Sequence, residues 1–139
     1  MDNIIIEKVW EDECIIDLKV TAMSKFVTAY QTCYTSKEEI EDISKIIIAF
    51  SKDFSRDYYV QIGNKEGNYT PAFSMNFQKA DYSGHVKIEM DIEVADIDNR
   101  SHRCLFFVEG ELGAIDRLGK NLKNICEGAV GEEISLFEK

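Results

Sequence analysis

His102 and Cys104 are the two side chains best suited to chemistry, and they stand two residues apart in an alternating segment. On an extended strand that spacing points both side chains the same way, so the pair could seed a metal site or a Cys–His nucleophile. A metal needs at least three convergent protein ligands, and the other histidine, His85, follows Gly84 in a turn at a distance the sequence does not set. No catalytic residue, metal ligand or cofactor contact is therefore assigned. His102 and Cys104 mark only where a small-molecule or enzymatic site without a motif would sit. Glu89, Asp91 and Glu93 share one face of the strand before, together with Lys87. Paired carboxylates do acid–base work when burial splits their pKa values, but these alternate with core residues and should be solvated. If the next strand is a neighbour, Glu109 and Glu111 extend the same acidic face. A ribbon of like charge costs stability, and its expected use is docking a basic protein surface.

Other chemistry lacks its signature. There is no G-x-S-x-G elbow, no Walker loop and no G-x-G-x-x-G. Cys14, Cys33, Cys104 and Cys126 form no C-x-x-C pair, which leaves out zinc ribbons and thioredoxin-like motifs. Trp10, Tyr58, Tyr59 and Tyr69 could line a pocket, although aromatics at this density ordinarily serve as core or rim.

The elements that would carry these residues follow from periodicity. Ile4–Ile5–Ile6 reads as a short edge strand. Cys14, Ile16, Leu18, Val20 and Ala22 alternate with Asp17, Lys19 and Thr21, the period of a strand with one wet face. After a turn at 23–25, the Thr-, Tyr- and Val-rich stretch 26–34 suits a pleated surface. Ser36 with Glu39 forms a capping box, followed by an apolar stripe of Ile40, Ile43, Ile46, Ile47, Phe50 and Phe54, so a helix begins there. Strands are expected over 57–62, around 73–77 and over 86–94, with loops at 63–68 and 96–100 and a hairpin turn at 81–84. In the strand 102–111, Cys104, Phe106 and Val108 oppose Leu105 and Phe107, which predicts a central strand covered on both faces. Leu112, Ile115, Leu118, Leu122, Ile125 and Cys126 give a second helix, ended by Gly128 and Gly131, and Ile134, Leu136 and Phe137 either add a last edge strand or only dock. Runs of strands separated by helices argue an α+β fold, not a parallel βαβ one. The expectation is one antiparallel sheet of about six or seven strands with two amphipathic helices packed on it.

The 139 residues suit a single domain, 1–139, long enough to bury a core without a staple. Sixteen Lys and Arg against 26 Asp and Glu give a net charge of −10. With no basic cluster, that disfavours nucleic acid and anionic membranes and favours a basic protein partner. Exposed strand edges leave homo-oligomerisation open. No signal peptide or membrane-length apolar run occurs, so a cytoplasmic address is expected.

The strand 84–90, the H-x-C strand 102–108, the turn Glu111–Leu112–Gly113 and the helix to Leu122 resemble the C-terminal half of small uncharacterised bacterial proteins. At this size and acidity the chain is also similar to immunity proteins that neutralise polymorphic toxins. That resemblance implies a non-enzymatic binding protein, an inhibitor of a basic toxin, and transfers no site residue. The alternative is a small-molecule binder or enzyme near His102 and Cys104.

Overall fold

Each run of alternating residues becomes a sheet, and each apolar stripe becomes a helix that closes it. The computed structural model describes residues 2–63, 72–94 and 102–137. In chain order the elements are β1 (Asn3–Glu11), β2 (Ile16–Met23), β3 (Thr28–Thr35), α1 (Lys37–Lys52), β4 (Tyr58–Ile62), β5 (Ala72–Phe77), β6 (His85–Val94), β7 (His102–Glu111), α2 (Leu112–Ile125) and β8 (Glu133–Ser135). One sheet has the order β3-β2-β1-β8 and the other β4-β5-β6-β7. All pairings are antiparallel.

The fold is α+β with antiparallel sheets, but the described residues form eight strands in two sheets of four in place of one sheet of six or seven. The sheet breaks at α1, which separates β3 from β4 so that they do not pair. Ile4–Ile5–Ile6 is part of a nine-residue strand, not a short edge. β1 lies inside its sheet because β8 returns to pair along its other side, Ile6 opposite Ile134. The loop from residue 64, with Tyr69, and the turn at 96–100 lie outside the described residues.

Both sheets and both helices feed one core. Ile4, Ile6, Leu18, Val20 and Cys33 come from the first sheet, and Val60, Phe73, Met75, Ile88 and Met90 from the second. α1 adds Ile40, Ile43, Ile47 and Phe50, and α2 adds Ile115, Leu118, Leu122 and Ile125. The Ser36 hydroxyl accepts from the Glu39 N–H at 3.1 Å, as the capping pattern requires. α1 ends where the Asp53 N–H turns back to Ala49 and Phe50, so Phe54, expected on the buried stripe, is exposed. The helices meet at Gly119, whose carbonyl accepts from Ser44 Oγ at 2.6 Å. A Cβ there would stand 2.9 Å from Ile48 Cγ1, so the close approach requires glycine. No described helix is long and apolar enough to cross a membrane.

The cysteines divide by environment. Cys14 sits exposed in the β1–β2 turn, not on the β2 face. There the Asp12 carboxylate accepts from the N–H of Cys14 and of Ile15, which holds Asp12 below the usual carboxylate range. Burial pushes the Cys33 thiol up to about 12, with Asp17 and Glu39 adding to the effect. Burial also raises Cys126. Because the thiolate is the reactive form, a thiol reagent at neutral pH should find one fast cysteine, Cys14, in the native chain and all four in denaturant. A native burst of three or four thiols would contradict this packing.

Candidate functional site

β6 and β7 place the sequence-selected carboxylates, and their register decides what those groups can do. The antiparallel ladder sets His85 opposite Glu111, Lys87 opposite Glu109, Glu89 opposite Phe107, Asp91 opposite Leu105 and Glu93 opposite Arg103. Glu109 and Glu111 do lie on the strand next to Glu89, Asp91 and Glu93, but beside basic or titratable partners. The expected ribbon of like charge is thereby broken into pairs.

Asp91 corrects the expectation of a solvated row. It is only 6% exposed, and Arg103, reaching diagonally from β7, grips it with both arms: Nε to Oδ1 at 2.9 Å and Nη2 to Oδ2 at 2.5 Å. This planar, two-point pairing is the geometry in which arginine binds carboxylate best, and it holds the Arg103 guanidinium above its usual pKa. Asp91 is thus neutralised. Glu89 and Glu93 remain half-buried carboxylates on the same face.

The rest of that face is built by the strands on either side. From β4 come Tyr59 and Gln61, tied together by a 2.7 Å hydrogen bond from the Tyr59 hydroxyl to Gln61 Oε1. From β5 come Ala72 and Ser74, both buried. From β7 come Leu105 and Phe107, 56% and 45% exposed. The outer face of the second sheet therefore has a low, buried row (Ala72, Ser74, Asp91) between exposed rims, Tyr59 on one side and Leu105 with Phe107 on the other. The expectation that β7 is central and covered on both faces is wrong: among the described residues it is an edge strand, packed on the core by its Cys104–Phe106–Val108 side, with Leu105 and Phe107 exposed on the other. Arg103, Glu109 and Glu111 share the parity of Leu105 and Phe107, and that charge content was the readable sign of a wet face.

His102, Cys104 and His85 do not assemble. His102 lies opposite Val94, and His85 opposite Glu111. The two histidines occupy opposite ends of the hairpin, roughly 30 Å apart at the usual strand rise. Cys104 is half-buried against the core. Among the described residues no three His, Cys, Asp or Glu side chains converge as a metal would need.

His85 lies instead over the Asp81 turn, its Nδ1 3.4 Å from Asp81 Oδ2 and its Nε2 3.9 Å from Glu111 Oε1. The Asp81 carboxylate accepts the backbone N–H of His85 and of Ser83, which holds it below the usual range. A hollow of about 460 Å³ opens beside it, lined by Asp2, His85, Glu109, Glu111 and Arg117 among others. Its charges are mixed and its histidine is well exposed, so water screens each group.

The outer face of the first sheet is also aromatic, but its rings are engaged with one another and with a cation. Trp10 meets Tyr34 edge-on at 6.5 Å, and Lys19 Nζ lies 4.7 Å over the Tyr30 ring. Comparison with protein-family models, with curated proteins and with solved structures finds no match to this chain.

Proposed function

We propose that this chain is a non-enzymatic binding module that docks a basic protein on the outer face of its second sheet. The observation that carries the reading is the exposure of Leu105, Phe107 and Tyr59 beside the carboxylates of Glu89 and Glu93. Protein interfaces combine aromatic and aliphatic anchors with a charged rim. Here the anchors stand on a rigid ladder, and Lys or Arg side chains of a partner would meet Glu89 and Glu93. The net charge of −10 steers such a partner from a distance. A basic toxin domain is the partner class that the resemblance to immunity proteins implies.

Immobilised chain should retain a basic protein from its native host. A Glu89→Lys/Glu93→Lys variant should lose it, and a Trp10→Ser/Tyr34→Ser variant should keep it. Retention of nothing basic, or equal retention by the Glu→Lys variant, would overturn the reading.

A further inference from the structure

The open edge of β7 carries a second interaction surface, which shares Leu105 and Phe107 with the docking face above but is formed by the strand's outward peptide groups. β7 is ten residues long and stands at the end of its sheet. Proteins blunt such edges with charged side chains, proline, bulges or a covering element; β7 holds no Pro, its pairing with β6 runs without a bulge, and its charges, Arg103, Glu109 and Glu111, stand at its ends and leave Leu105 and Phe107 apolar between them. β3, the long edge of the other sheet, packs against β4, β5 and β6, while β7 is met from that sheet by β1, with Asp2 at Glu109.

Hydrogen bonding tells which peptide groups of β7 face outward. The Leu112 N–H continues the ladder toward β6, donating to the Gly84 carbonyl at 3.1 Å. The Glu109 N–H points the other way, to Asp2 Oδ2 at 2.8 Å. Even-numbered residues therefore pair with β6, and the peptide groups of Arg103, Leu105 and Phe107 face the open edge. Among the described residues nothing pairs with Leu105 or Phe107 there.

We propose that this edge pairs with the same edge of a second copy of the chain, antiparallel about a two-fold axis. Outward-facing residues must oppose outward-facing residues, so odd numbers meet odd numbers. One such register places Leu105 opposite Phe107 of the second copy and Arg103 opposite Glu109 of the second copy. The two-fold axis repeats each pair. The result is two apolar cross-strand pairs at the centre and an opposite-charge pair at each end, the combinations that stabilise neighbouring strands. Of the two neighbouring registers, one sets Arg103 against Phe107 and loses the charge match, and the other sets Arg103 against Glu111 but Leu105 against Glu109, which loses the Leu105–Phe107 pairs. Arg103 uses Nε and Nη2 on Asp91 and keeps Nη1 for Glu109. Asp2 already holds the Glu109 N–H, so the backbone ladder consists of the reciprocal bonds of Leu105 and Phe107. The two sheets join edge to edge, with the outer faces continuous.

Sedimentation of the purified chain at physiological salt, across a concentration series, tests this without any partner. Salt matters because two chains of −10 repel, and screening acts within about 8 Å at that ionic strength. The wild type should approach about 32 kDa, twice the 15.9 kDa chain mass. Leu105→Pro removes only an outward N–H, which an edge strand tolerates, and should stay at 15.9 kDa with unchanged circular dichroism. If that variant misfolds, Phe107→Lys, altered at an exposed side chain, should give the same monomer. A wild type that is monomeric throughout, or a folded Leu105→Pro or Phe107→Lys variant that still dimerises, overturns the proposal.

Discussion

Replacing Lys8 with alanine should lower unfolding stability by about 3–5 kcal/mol, a fifth or more of what a domain this size ordinarily has. Lys8 is 0% exposed. Its Nζ donates to the Cys126 carbonyl at 3.1 Å and the Gly128 carbonyl at 2.8 Å, and lies 2.6 Å from Glu11 Oε2. The two carbonyls sit just past α2, where unsatisfied acceptors and the negative end of the helix dipole favour a cation. The backbone repeats the tie: Lys8 N–H donates to Glu132, and Gly131 N–H donates to Lys8. One residue thus fastens the segment after α2 to the inside of the first sheet. Alanine leaves the carbonyls without a donor, Glu11 without a partner, and a void where the stem was packed. Methionine keeps the volume and should cost less, about 1–3 kcal/mol. Urea unfolding of Lys8→Ala and Lys8→Met checks both the size and the order. Two variants within about 0.5 kcal/mol of wild type, the range of an ordinary surface substitution, would contradict the account.

The second large effect concerns the docking face. Truncating an anchor at the centre of an interface costs about 2–4 kcal/mol, so Phe107→Ala or Leu105→Ala should weaken a basic partner roughly 30- to 1,000-fold. Taken singly, Glu89→Lys and Glu93→Lys should weaken binding mainly through association rate and salt dependence, as rim charges do, and only the double variant should lose it. Binding by the wild type should therefore weaken with added salt, and binding by the Glu→Lys variants should be flatter. Trp10→Ser should change neither.

How much of this was legible in the sequence varies residue by residue. Alternation located β2, β5 and β6 because their inward positions are uniformly apolar, and the Ser36–Glu39 pair located α1. β1 was cut short because its inward parity runs Ile4, Ile6, Lys8, and a lysine reads as the end of a buried row. Only the distant carbonyls of Cys126 and Gly128, brought close by folding, make that lysine an interior residue. The division into two sheets was hidden for a similar reason. Hairpin neighbours can be inferred from turns, but the pairing of β8 with β1 spans nearly the whole chain, and no local signal marks it.

The candidate site was half legible. The carboxylates were visible, and so was the chance that β6 and β7 are neighbours. Their register was not, since alternation fixes which face each residue takes but not which residues stand opposite one another across the two strands. Register is what puts Glu109 beside Lys87 and within diagonal reach gives Asp91 its arginine. Leu105 and Phe107 were read as buried because apolar residues on both faces suit a covered strand. The charges of like parity, Arg103, Glu109 and Glu111, carried the opposite and correct message.

The proposed docking surface is the Glu89–Phe107 face of the second sheet. Amide hydrogen exchange of the chain, free and saturated with the basic protein it retains, tests that most directly when both samples are held at the same oligomeric state. Docking there should add protection in β6 and β7 over 87–93 and 103–109, with β2 and β3 unchanged. Protection centred on Trp10, Tyr30 and Tyr34, or on the hollow beside His85 and Arg117, would contradict it.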